Sequence, residues 1–353
     1  MSDERPATSE TTVRRVAVIG CGDISALHLS AIATVPDARL VAVCDIDDGR
    51  LAATSGAAGV PGFADLDRLL DEIRPDVVHI CTPHHLHADQ AIRALDRGIS
   101  VILEKPLAHS REEADRLIAA AARSDAKIAV CFQNRYNRPV ERAKELLDSG
   151  ELGAVLGASA VVPWHRTAAY YEDRPWRGRW ETGGGGLLMN QAIHTIDLVQ
   201  WLVGEALETS GSISTRALAD VIEVEDTAEL RIVHAGGATS TVYATVAGVA
   251  NLPITVDIVC EAGTLSLAGD LTTRHADGRV EVTTERTTAS GERAYWGVSH
   301  ELLIRDFYAG LDEPGGFWID PTEARKAFEI IQDVYDESAP ERRVAASAGA
   351  TTG

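Results

Sequence analysis

The sequence predicts an α/β domain with a parallel sheet, followed by an α+β domain with a large, mostly antiparallel open sheet. Up to about residue 132, short apolar runs alternate with helical patterns, which is typical of crossover units around a parallel sheet buried on both faces. Beyond that point, alternating strands follow one another through short turns such as Gly236-Gly237, which favours antiparallel pairing. The chain has 353 residues, enough for two domains.

The first domain is expected over residues 13–132, where strands and helices alternate. Residues 1–12 are polar and lack the apolar core of a signal peptide, so we expect a disordered lead-in. The predicted strands are RRVAVIG, ARLVAVCD, PDVVHICTP, SVILEKP and KIAVCFQ, and the predicted helices are ISALHLSAIATV, DLDRLLDEI, LHADQAIRALDRG and SREEADRLIAAAARS.

The second domain is expected over residues 133–318. It begins with the helix RPVERAKELLDSGELG and the strand AVLGASAVV, continues through an aromatic-rich loop and a helix after a glycine run, and then forms a series of strands. A C-terminal helix over residues 319–340 has Pro321 near its start, where the missing N–H costs nothing. We expect this helix to pack back near the first domain and residues 341–353 to form a frayed tail.

Charge and composition exclude several classes of partner. The net charge of −20 argues against nucleic-acid and anionic-membrane partners, because phosphate groups would be repelled. No apolar run is long enough to span a bilayer. The five cysteines are odd in number and match no metal knuckle, so we expect buried thiols in a reducing, cytoplasmic location.

A glycine turn after the first strand predicts a dinucleotide site. Gly20 and Gly22 lie between a strand and a helix, where backbone N–H groups approach a pyrophosphate at the positive end of the helix. Ser25 occupies the place of the usual third glycine. Asp45 ends the second strand, where a carboxylate accepts bonds from the ribose hydroxyls of NAD and repels the extra phosphate of NADP. Arg50 lies nearby and leaves NADP as an alternative, as does a strand–turn–helix without ligand.

The segment CTPHHLHADQ carries His84, His85 and His87 directly after the third predicted strand. No carboxylate or cysteine stands at a matching metal-ligand spacing, so we predict no metal. Ligands bind at the carboxyl ends of such strands, which favours cofactor contacts from Thr82, Pro83, His84 and His87. In the alternative interpretation, His87 caps or packs the start of the following helix.

The fourth predicted strand ends in Glu104-Lys105-Pro106. Proline restricts Lys105 to extended geometry and thereby fixes its direction. A lysine at this end of the sheet can hydrogen-bond a substrate hydroxyl and stabilise a developing alkoxide. The alternative is an ordinary surface turn.

These stretches together resemble the Gfo/Idh/MocA family of NAD(P)-dependent sugar and polyol dehydrogenases. The matching residues are GCGDISALH, Asp45, CTPHHLH, EKP, GGGGLLMNQAIHTIDL and HELLIRDF, over roughly residues 13 to 340. The resemblance implies a Rossmann domain, hydride transfer between a nicotinamide and a carbohydrate carbon, and dimers or tetramers through the second sheet. The expected cofactor contacts are Gly20, Gly22, Asp23, Ile24, Asp45, Thr82, Pro83, His84, His87, Glu104 and Lys105.

The helix after the glycine run carries the other candidate catalytic residues. Asn190 and His194 are four positions apart, so they share one helix face, and the glycines would let a ligand approach the backbone closely. We expect His194 to take the hydroxyl proton as hydride leaves, with Asp197 orienting the imidazole. The alternative is a buried, hydrogen-bonded histidine.

One residue departs from the commoner family pattern, which has aspartate where this chain has Asn190. A neutral amide gives less electrostatic support to a charged imidazole, which shifts part of the proton-handling role from His194 to Lys105. Asparagine followed by glutamine also resembles a subgroup that acts at C3 of sugars, including nucleotide sugars and glycosides.

The pocket wall is expected from QNRYNR and from an aromatic-rich loop. Aromatic residues make up only 5% of the chain, yet they are concentrated between residues 164 and 180. Sugars present C–H faces to aromatic rings and hydroxyls to polar groups, whereas the alternative is a hydrophobic cluster under a long loop. The predicted substrate contacts are Arg135, Tyr136, Trp164, Arg166, Tyr171, Trp176 and Asn190.

The sequence leaves three functions open. The favoured one is an NAD-dependent carbohydrate dehydrogenase. The second is an NAD-dependent glycosidase or lyase that uses transient oxidation. The third is a nucleotide-binding regulator without catalysis, which would have no need of Lys105 and His194.

Overall fold

The structure, a computed structural model, describes residues 13–285 and 298–342. The predicted lead-in over residues 1–12 lies outside these residues, as does the predicted tail from residue 343 onward. Two sheets organise the described chain, one of six strands and one of eight. Over the same ranges, no helix has the length and apolar character needed to cross a membrane.

The six-stranded sheet is parallel throughout, with the order β3-β2-β1-β4-β5-β6. Strand order reverses between β1 and β4, and the crevice outside the carboxyl ends of strands at such a point is where nucleotides bind. The strands are β1 (Arg14–Ile19), β2 (Ala38–Cys44), β3 (Gly62–Phe63), β4 (Val77–Ile80), β5 (Ser100–Leu103) and β6 (Ile128–Val130).

Five helices flank this sheet. They are α1 (Ser25–Ile32), α2 (Asp48–Ala58), α3 (Leu66–Ile73), α4 (His87–Leu95) and α5 (Arg111–Ala121). Sequence analysis did not predict α2, because none of its residues is buried and it therefore lacks an apolar periodicity. Asp47, Asp65 and Ser110 cap α2, α3 and α5 by accepting backbone N–H bonds.

The eight-stranded sheet has the order β14-β13-β12-β11-β7-β10-β9-β8, and only the pair β10–β7 is parallel. Burial alternates along β9, β10 and β11, so one face of the sheet is covered and the other is open. The strands are β7 (Val155–Pro163), β8 (Ala206–Ser214), β9 (Thr227–His234), β10 (Thr239–Thr245), β11 (Thr255–Cys260), β12 (Gly263–Ala268), β13 (Asp270–His275) and β14 (Val280–Thr283). Strand β8, which lacks this alternation, was not predicted.

Of the further helices in the described ranges, three pack on the second sheet and the others contact helical segments. These further helices are α6 (Arg138–Asp148), α7 (Ala168–Glu172), α8 (Trp180–Gly183), α9 (Ile193–Val203), α10 (Ser299–Ala309) and α11 (Pro321–Ser338). Helix α11 packs on β8, α9 and α5. Arg111 on α5 forms ion pairs with Glu329 and Asp333 on α11. The observed architecture confirms the predicted fold class.

Candidate active site

The turn after β1 leaves space beside Gly22 for a dinucleotide. Gly20 has φ +88°, and a Cβ there would lie 2.8 Å from the carbonyl carbon and oxygen of Cys81, so its glycine is required by packing. A Cβ at Gly22 would meet nothing within 4 Å. Helix α1 begins at Ser25 with no side-chain cap, so no side chain covers the positive end of the helix, which favours a phosphate group. These features fit a bound pyrophosphate.

Asp45 lies at the carboxyl end of β2, at the edge of this turn. Its carboxylate accepts bonds from the amides of Cys21 at 2.7 Å and Asp47 at 2.8 Å, and Arg50 Nη2 lies 3.0 Å from Oδ1. Burial alone would raise the pKa of Asp45, but the hydrogen bonds from Arg50 and the two amides outweigh it and lower the pKa. The carboxylate is therefore ionised, with Arg50 directly beside it.

The histidines after β4 contact protein groups. His84 Nδ1 lies 2.8 Å from the carbonyl oxygen of Gly183, which joins the two domains. The two ring nitrogens of His87 lie 2.7 and 2.8 Å from the carbonyl oxygens of Pro106 and Thr82, and its side chain is fully buried. The predicted cofactor contact by His87 is therefore revised: it holds the start of α4 against the β5 turn.

Lys105 projects from the end of β5 towards the second domain. Its Nζ donates a hydrogen bond to the main-chain carbonyl oxygen of Asn190 at 2.6 Å, and the Lys105–Pro106 peptide bond is cis. Burial lowers the pKa of Lys105 to about 8, against the partial compensation of the Glu104 charge. A lysine with this pKa exchanges a proton near neutral pH.

Glu104, the neighbour of Lys105, is buried at the end of a chain of hydrogen bonds. Its Oε1 lies 3.0 Å from His28 Nε2 and 3.1 Å from His300 Nε2, while His28 Nδ1 lies 2.9 Å from His79 Nδ1. The chain ends at the Tyr308 hydroxyl, 3.0 Å from His79 Nε2. Neutral histidines satisfy every bond when each donor points towards Glu104.

This cluster keeps a buried carboxylate ionised. Burial alone would raise the pKa of Glu104, but the bonds from His28 and His300 hold it well below its usual value. Ligand atoms of Glu104, His28 and His300 lie within 4.8 Å of one another, a spacing that suits a metal ion. Because both Glu–His distances are hydrogen-bond distances and the tautomers are mutually consistent, we interpret the cluster as a hydrogen-bonded network.

His194 lies on α9, directly after a π-helical turn over Leu188–Ala192. Sequence analysis predicted an unbroken α-helix here; π turns of this kind occur frequently at functional sites. Burial, and then the positive charge of Lys105, holds the pKa of His194 well below its usual value, so the imidazole is neutral. Its ring contacts Phe132 edge-on, with the centroids 6.0 Å apart.

Asp197 does not orient His194, contrary to the prediction. Its carboxylate accepts two bonds from the guanidinium of Arg135, at 2.9 and 2.6 Å, and both side chains are buried. Arg135 also lies 3.0 Å from Glu323. An arginine bound in this bidentate way joins the segment after β6 to α9 and α11, so we withdraw Arg135 from the expected substrate contacts.

The glycine run serves close packing within the protein. A Cβ at Gly185 would lie 2.2 Å from the Tyr335 hydroxyl, and one at Gly186 would lie 2.2 Å from the carbonyl oxygen of Glu225. The Glu225 carboxylate, which sequence analysis missed, accepts bonds from the amides of Gly186 and Leu188 and from the Tyr335 hydroxyl. The expected approach of a ligand to this backbone is therefore corrected at Gly185 and Gly186. No local sequence pattern indicated the role of Glu225, because its hydrogen-bond partners are distant in the chain.

The segment 164–180, here called the lid, stacks arginines and aromatic rings in alternation. The Arg166 guanidinium carbon lies 4.9 Å from the Trp164 ring centroid and 5.2 Å from that of Tyr170. The Arg177 guanidinium carbon lies 4.2 Å from Tyr170 and 5.6 Å from Trp176. The predicted aromatic cluster is thus a stacked series of rings and cations.

Residues of the lid contact both domains. The Tyr170 hydroxyl lies 3.2 Å from the amide nitrogens of Asn190 and of Gln191, which donate to it. On the side of the first domain, the Trp176 ring contacts His84 edge-on at 4.7 Å, and Arg177 Nη2 lies 3.7 Å from Asp23 in the dinucleotide turn. The lid therefore spans the cleft between the two domains.

Two further residues that were predicted to contact the substrate contact other protein groups instead. Tyr171 is only 3% exposed and packs against the Tyr170 ring. Tyr136 donates to Asp306 at 2.6 Å and accepts from Trp318 at 2.9 Å. Because Tyr171 is buried and the Tyr136 hydroxyl binds Asp306 and Trp318, we withdraw both from the expected substrate contacts. The tyrosine that lies next to Asn190 is Tyr170.

Comparison with known proteins identifies both domains. Residues 14–132 match a family model described as an oxidoreductase family with an NAD-binding Rossmann fold, and residues 140–266 match the GFO/IDH/MocA C-terminal domain. Inositol 2-dehydrogenase of Streptomyces avermitilis is 30% identical over 312 residues, which cover 87% of this chain and 83% of the relative. D-glucoside 3-dehydrogenase of Escherichia coli is 30% identical over 202 residues, 54% of either chain.

The coverage of these relatives varies. The chain spans about half the length of several curated relatives that it matches. Among solved structures, the WlbA dehydrogenase from Bordetella pertussis in complex with NADH and UDP-GlcNAcA has a TM-score of 0.80 and 29% identity, covering 92% of this chain and 95% of that chain. Levoglucosan dehydrogenase in complex with NADH and levoglucosan has a TM-score of 0.84 at 23% identity, which shows the shared fold.

Proposed function

Since this chain belongs to the GFO/IDH/MocA oxidoreductase family, we propose that it transfers hydride between a secondary alcohol of a carbohydrate and NAD. The observation that carries the proposal is the hydrogen bond between Lys105 Nζ and the Asn190 carbonyl oxygen at 2.6 Å. It places an ammonium of lowered pKa at the junction of the nucleotide-binding domain and the second domain. Ligands commonly bind at such domain interfaces.

The turn after β1 would hold the cofactor. The space beside Gly22 and the uncapped N-terminus of α1 suit its pyrophosphate, and the Asp45 carboxylate suits the ribose hydroxyls of NAD. Asp23, Ile24, Thr82, Pro83 and His84 are assigned to the same wall. The nicotinamide supplies the hydride acceptor or donor when bound.

Lys105 and His194 would have different roles towards the alcohol. A pKa of about 8 lets Lys105 accept the hydroxyl proton during oxidation and return it during reduction. His194 is neutral, and a neutral imidazole is suited to binding and orienting the hydroxyl. This assignment makes Lys105 the principal acid/base and His194 a second catalytic residue, with Asn190 holding both Lys105 and Tyr170.

The substrate is proposed to be a sugar, glycoside or nucleotide sugar, oxidised at C3. Support comes from the relative named for 3-dehydrogenation of a glucoside and from the lid, where Trp164, Arg166 and Trp176 offer rings and donors to a pyranose. Neither alternative from the sequence is favoured. Inositol 2-dehydrogenases and D-apiose dehydrogenase are among the relatives, and these names support a dehydrogenase rather than a lyase or a regulator.

The open face of the eight-stranded sheet is proposed to form a homodimer or homotetramer. Tyr243 and Val259 point outwards from it and are 43% and 46% exposed, and apolar side chains on a solvent face favour association. Sedimentation of the wild type and of Tyr243→Asp measures the effect, and an unchanged oligomer in the variant would contradict the proposal. The five buried free thiols support a reducing, cytoplasmic location.

Appearance of the NADH absorbance band over a panel of sugars, glycosides and nucleotide sugars tests the proposed reaction. We expect C3-competent carbohydrates to generate NADH, and Lys105→Ala to lower the rate by about 100-fold or more. Lys144→Ala, which removes a surface lysine paired with Asp148, is the matched control. Release of an aglycone without NADH accumulation would instead indicate the lyase.

A further inference from the structure

Arg166 differs from the other arginines of the lid. Arg174 and Arg177 lie 3.9 and 3.7 Å from Asp23, and Arg179 lies 3.4 Å from Glu223. Arg166, by contrast, has no carboxylate within ion-pair distance anywhere in the described ranges. It is therefore a cation whose charge the described protein does not neutralise locally.

The Arg166 guanidinium is also held in place. Its Nη1 donates to the carbonyl oxygen of His165 at 2.7 Å and to Asn251 Oδ1 at 3.2 Å. Stacking on Trp164 and Tyr170 fixes the plane of the group. Its Nε and Nη2 make no hydrogen bond with any residue the structure describes, so this edge of the guanidinium remains available to a ligand. Such an edge matches a carboxylate or phosphate in bidentate geometry.

This edge lies next to the catalytic groups. The Arg166 guanidinium and the Asn190 amide are both in contact with Tyr170, through its ring and its hydroxyl respectively. The carbonyl of Asn190 in turn binds Lys105. A series of contacts through Tyr170 and Asn190 therefore connects Arg166 to Lys105.

Lys105, Arg166 and Arg177 are three cations near this cleft, although the chain carries a net charge of −20. Lys105 and Arg177 each have a carboxylate nearby, from Glu104 and Asp23 respectively. Arg177 faces the dinucleotide turn through Asp23, so it belongs to the cofactor side. Arg166 remains on the substrate side, where a cation attracts an anionic ligand against the repulsion of the surface.

We propose that Arg166 binds an anionic group of the carbohydrate substrate, a carboxylate or a phosphate, and thereby selects acidic or phosphorylated sugars over neutral ones. The inference rests on the proposed function and names the substrate class of that same site. The carboxylate would belong to a uronic acid, and the phosphate to a sugar phosphate or nucleotide sugar.

Calorimetric titration of the NADH-loaded protein with glucose, glucuronate, glucose 1-phosphate and UDP-glucose tests this without requiring turnover. We expect at least one of the anionic sugars to bind more tightly than glucose. Arg166→Gln should lower that affinity by about 10- to 100-fold, the range expected for losing hydrogen bonds to a charged group, and lower the affinity for glucose by a smaller factor. Arg179→Gln, an exposed arginine of the same lid, is the control and should change neither.

Two results would overturn the inference. One is the absence of any preference for the anionic sugars, and the other is an Arg166→Gln variant that keeps the preference or loses NADH affinity instead. Failure of the proposed function would look different: selective binding would persist while none of the four sugars generates NADH. The carboxylate and phosphate arms distinguish the two sources of the anion.

Discussion

The ammonium nitrogen of Lys105 lies 2.6 Å from the main-chain carbonyl oxygen of Asn190. Lys105 lies two residues after a strand of the nucleotide-binding sheet, whereas Asn190 belongs to the π-helical turn of the second domain. This hydrogen bond therefore joins the two halves of the cleft, as the bond between His84 and the Gly183 carbonyl oxygen also does. It fixes the lysine where a ligand that bridges the domains would meet it.

Replacing Tyr170 by phenylalanine should loosen the lid. The change removes the acceptor that Asn190 and Gln191 share, so we expect a loss of ~1 kcal/mol in the free energy of unfolding together with a higher KM. Tyr171→Phe is the matched control, because its buried hydroxyl has no partner among the described residues. Urea unfolding and substrate kinetics of both variants measure the effect. Equal effects would show that Tyr170 has no special role.

Two glycines of one turn should respond oppositely to alanine. Gly22→Ala adds a methyl group into open space, so we expect normal thermal stability and an NAD affinity reduced by about tenfold or more through contact with the cofactor. Gly20→Ala meets both a φ of +88° and the Cys81 carbonyl, so we expect the fold itself to lose stability. Thermal unfolding with and without NAD separates the two. A Gly22→Ala protein with unchanged NAD affinity would move the cofactor away from this turn.

Asp45→Asn should shift the cofactor preference towards NADP. The change removes the charge that repels a 2′-phosphate and frees Arg50, now 3.0 Å from the carboxylate, to bind that phosphate. We expect the ratio of kcat/KM for NADP to that for NAD to rise by about tenfold, with Asp48→Asn as an exposed control. A constant ratio would mean that Asp45 does not face the ribose.

Much of the fold was predictable because it follows from the local periodicity of apolar residues. The strand–glycine–helix unit around Gly20, and the strand just before Lys105, both lie where their patterns predicted them. Helix α2 was missed because it buries no side chain and so carries no apolar stripe. The periodicity of apolar residues indicates which positions are buried, so an element that buries no side chain shows no such periodicity.

The contacts between side chains of the site were less predictable, because they join residues that are far apart in the chain. Arg135 and Asp197 form their buried pair across two separate segments, and His28 and His300 reach Glu104 from helices near opposite ends of the chain. Spacing along the sequence carries no signal for such contacts. Residue type predicted that these groups need partners, and only the folded chain shows which ones.

His194→Ala should reduce turnover while leaving the cofactor site intact. Loss of the group that orients the hydroxyl is expected to lower kcat/KM by about 100-fold, whereas NADH affinity stays the same. Fluorescence titration with NADH and steady-state oxidation rates give the two values. Near-normal turnover would remove His194 from the catalytic groups.

The pH dependence of sugar oxidation tests the central claim, that Lys105 is the acid/base, most directly. Because oxidation needs the neutral amine and the pKa of Lys105 is about 8, kcat/KM should rise with pH and level off above that value, while the rate of the reverse reduction should fall over the same range. His194 cannot produce this inflection, since burial and the Lys105 charge hold its pKa well below 6.5. We expect Lys105→Arg, whose guanidinium stays protonated, to be slow and to lack the inflection. A wild-type profile that is flat through pH 8, or an inflection that survives in Lys105→Arg, would contradict the account.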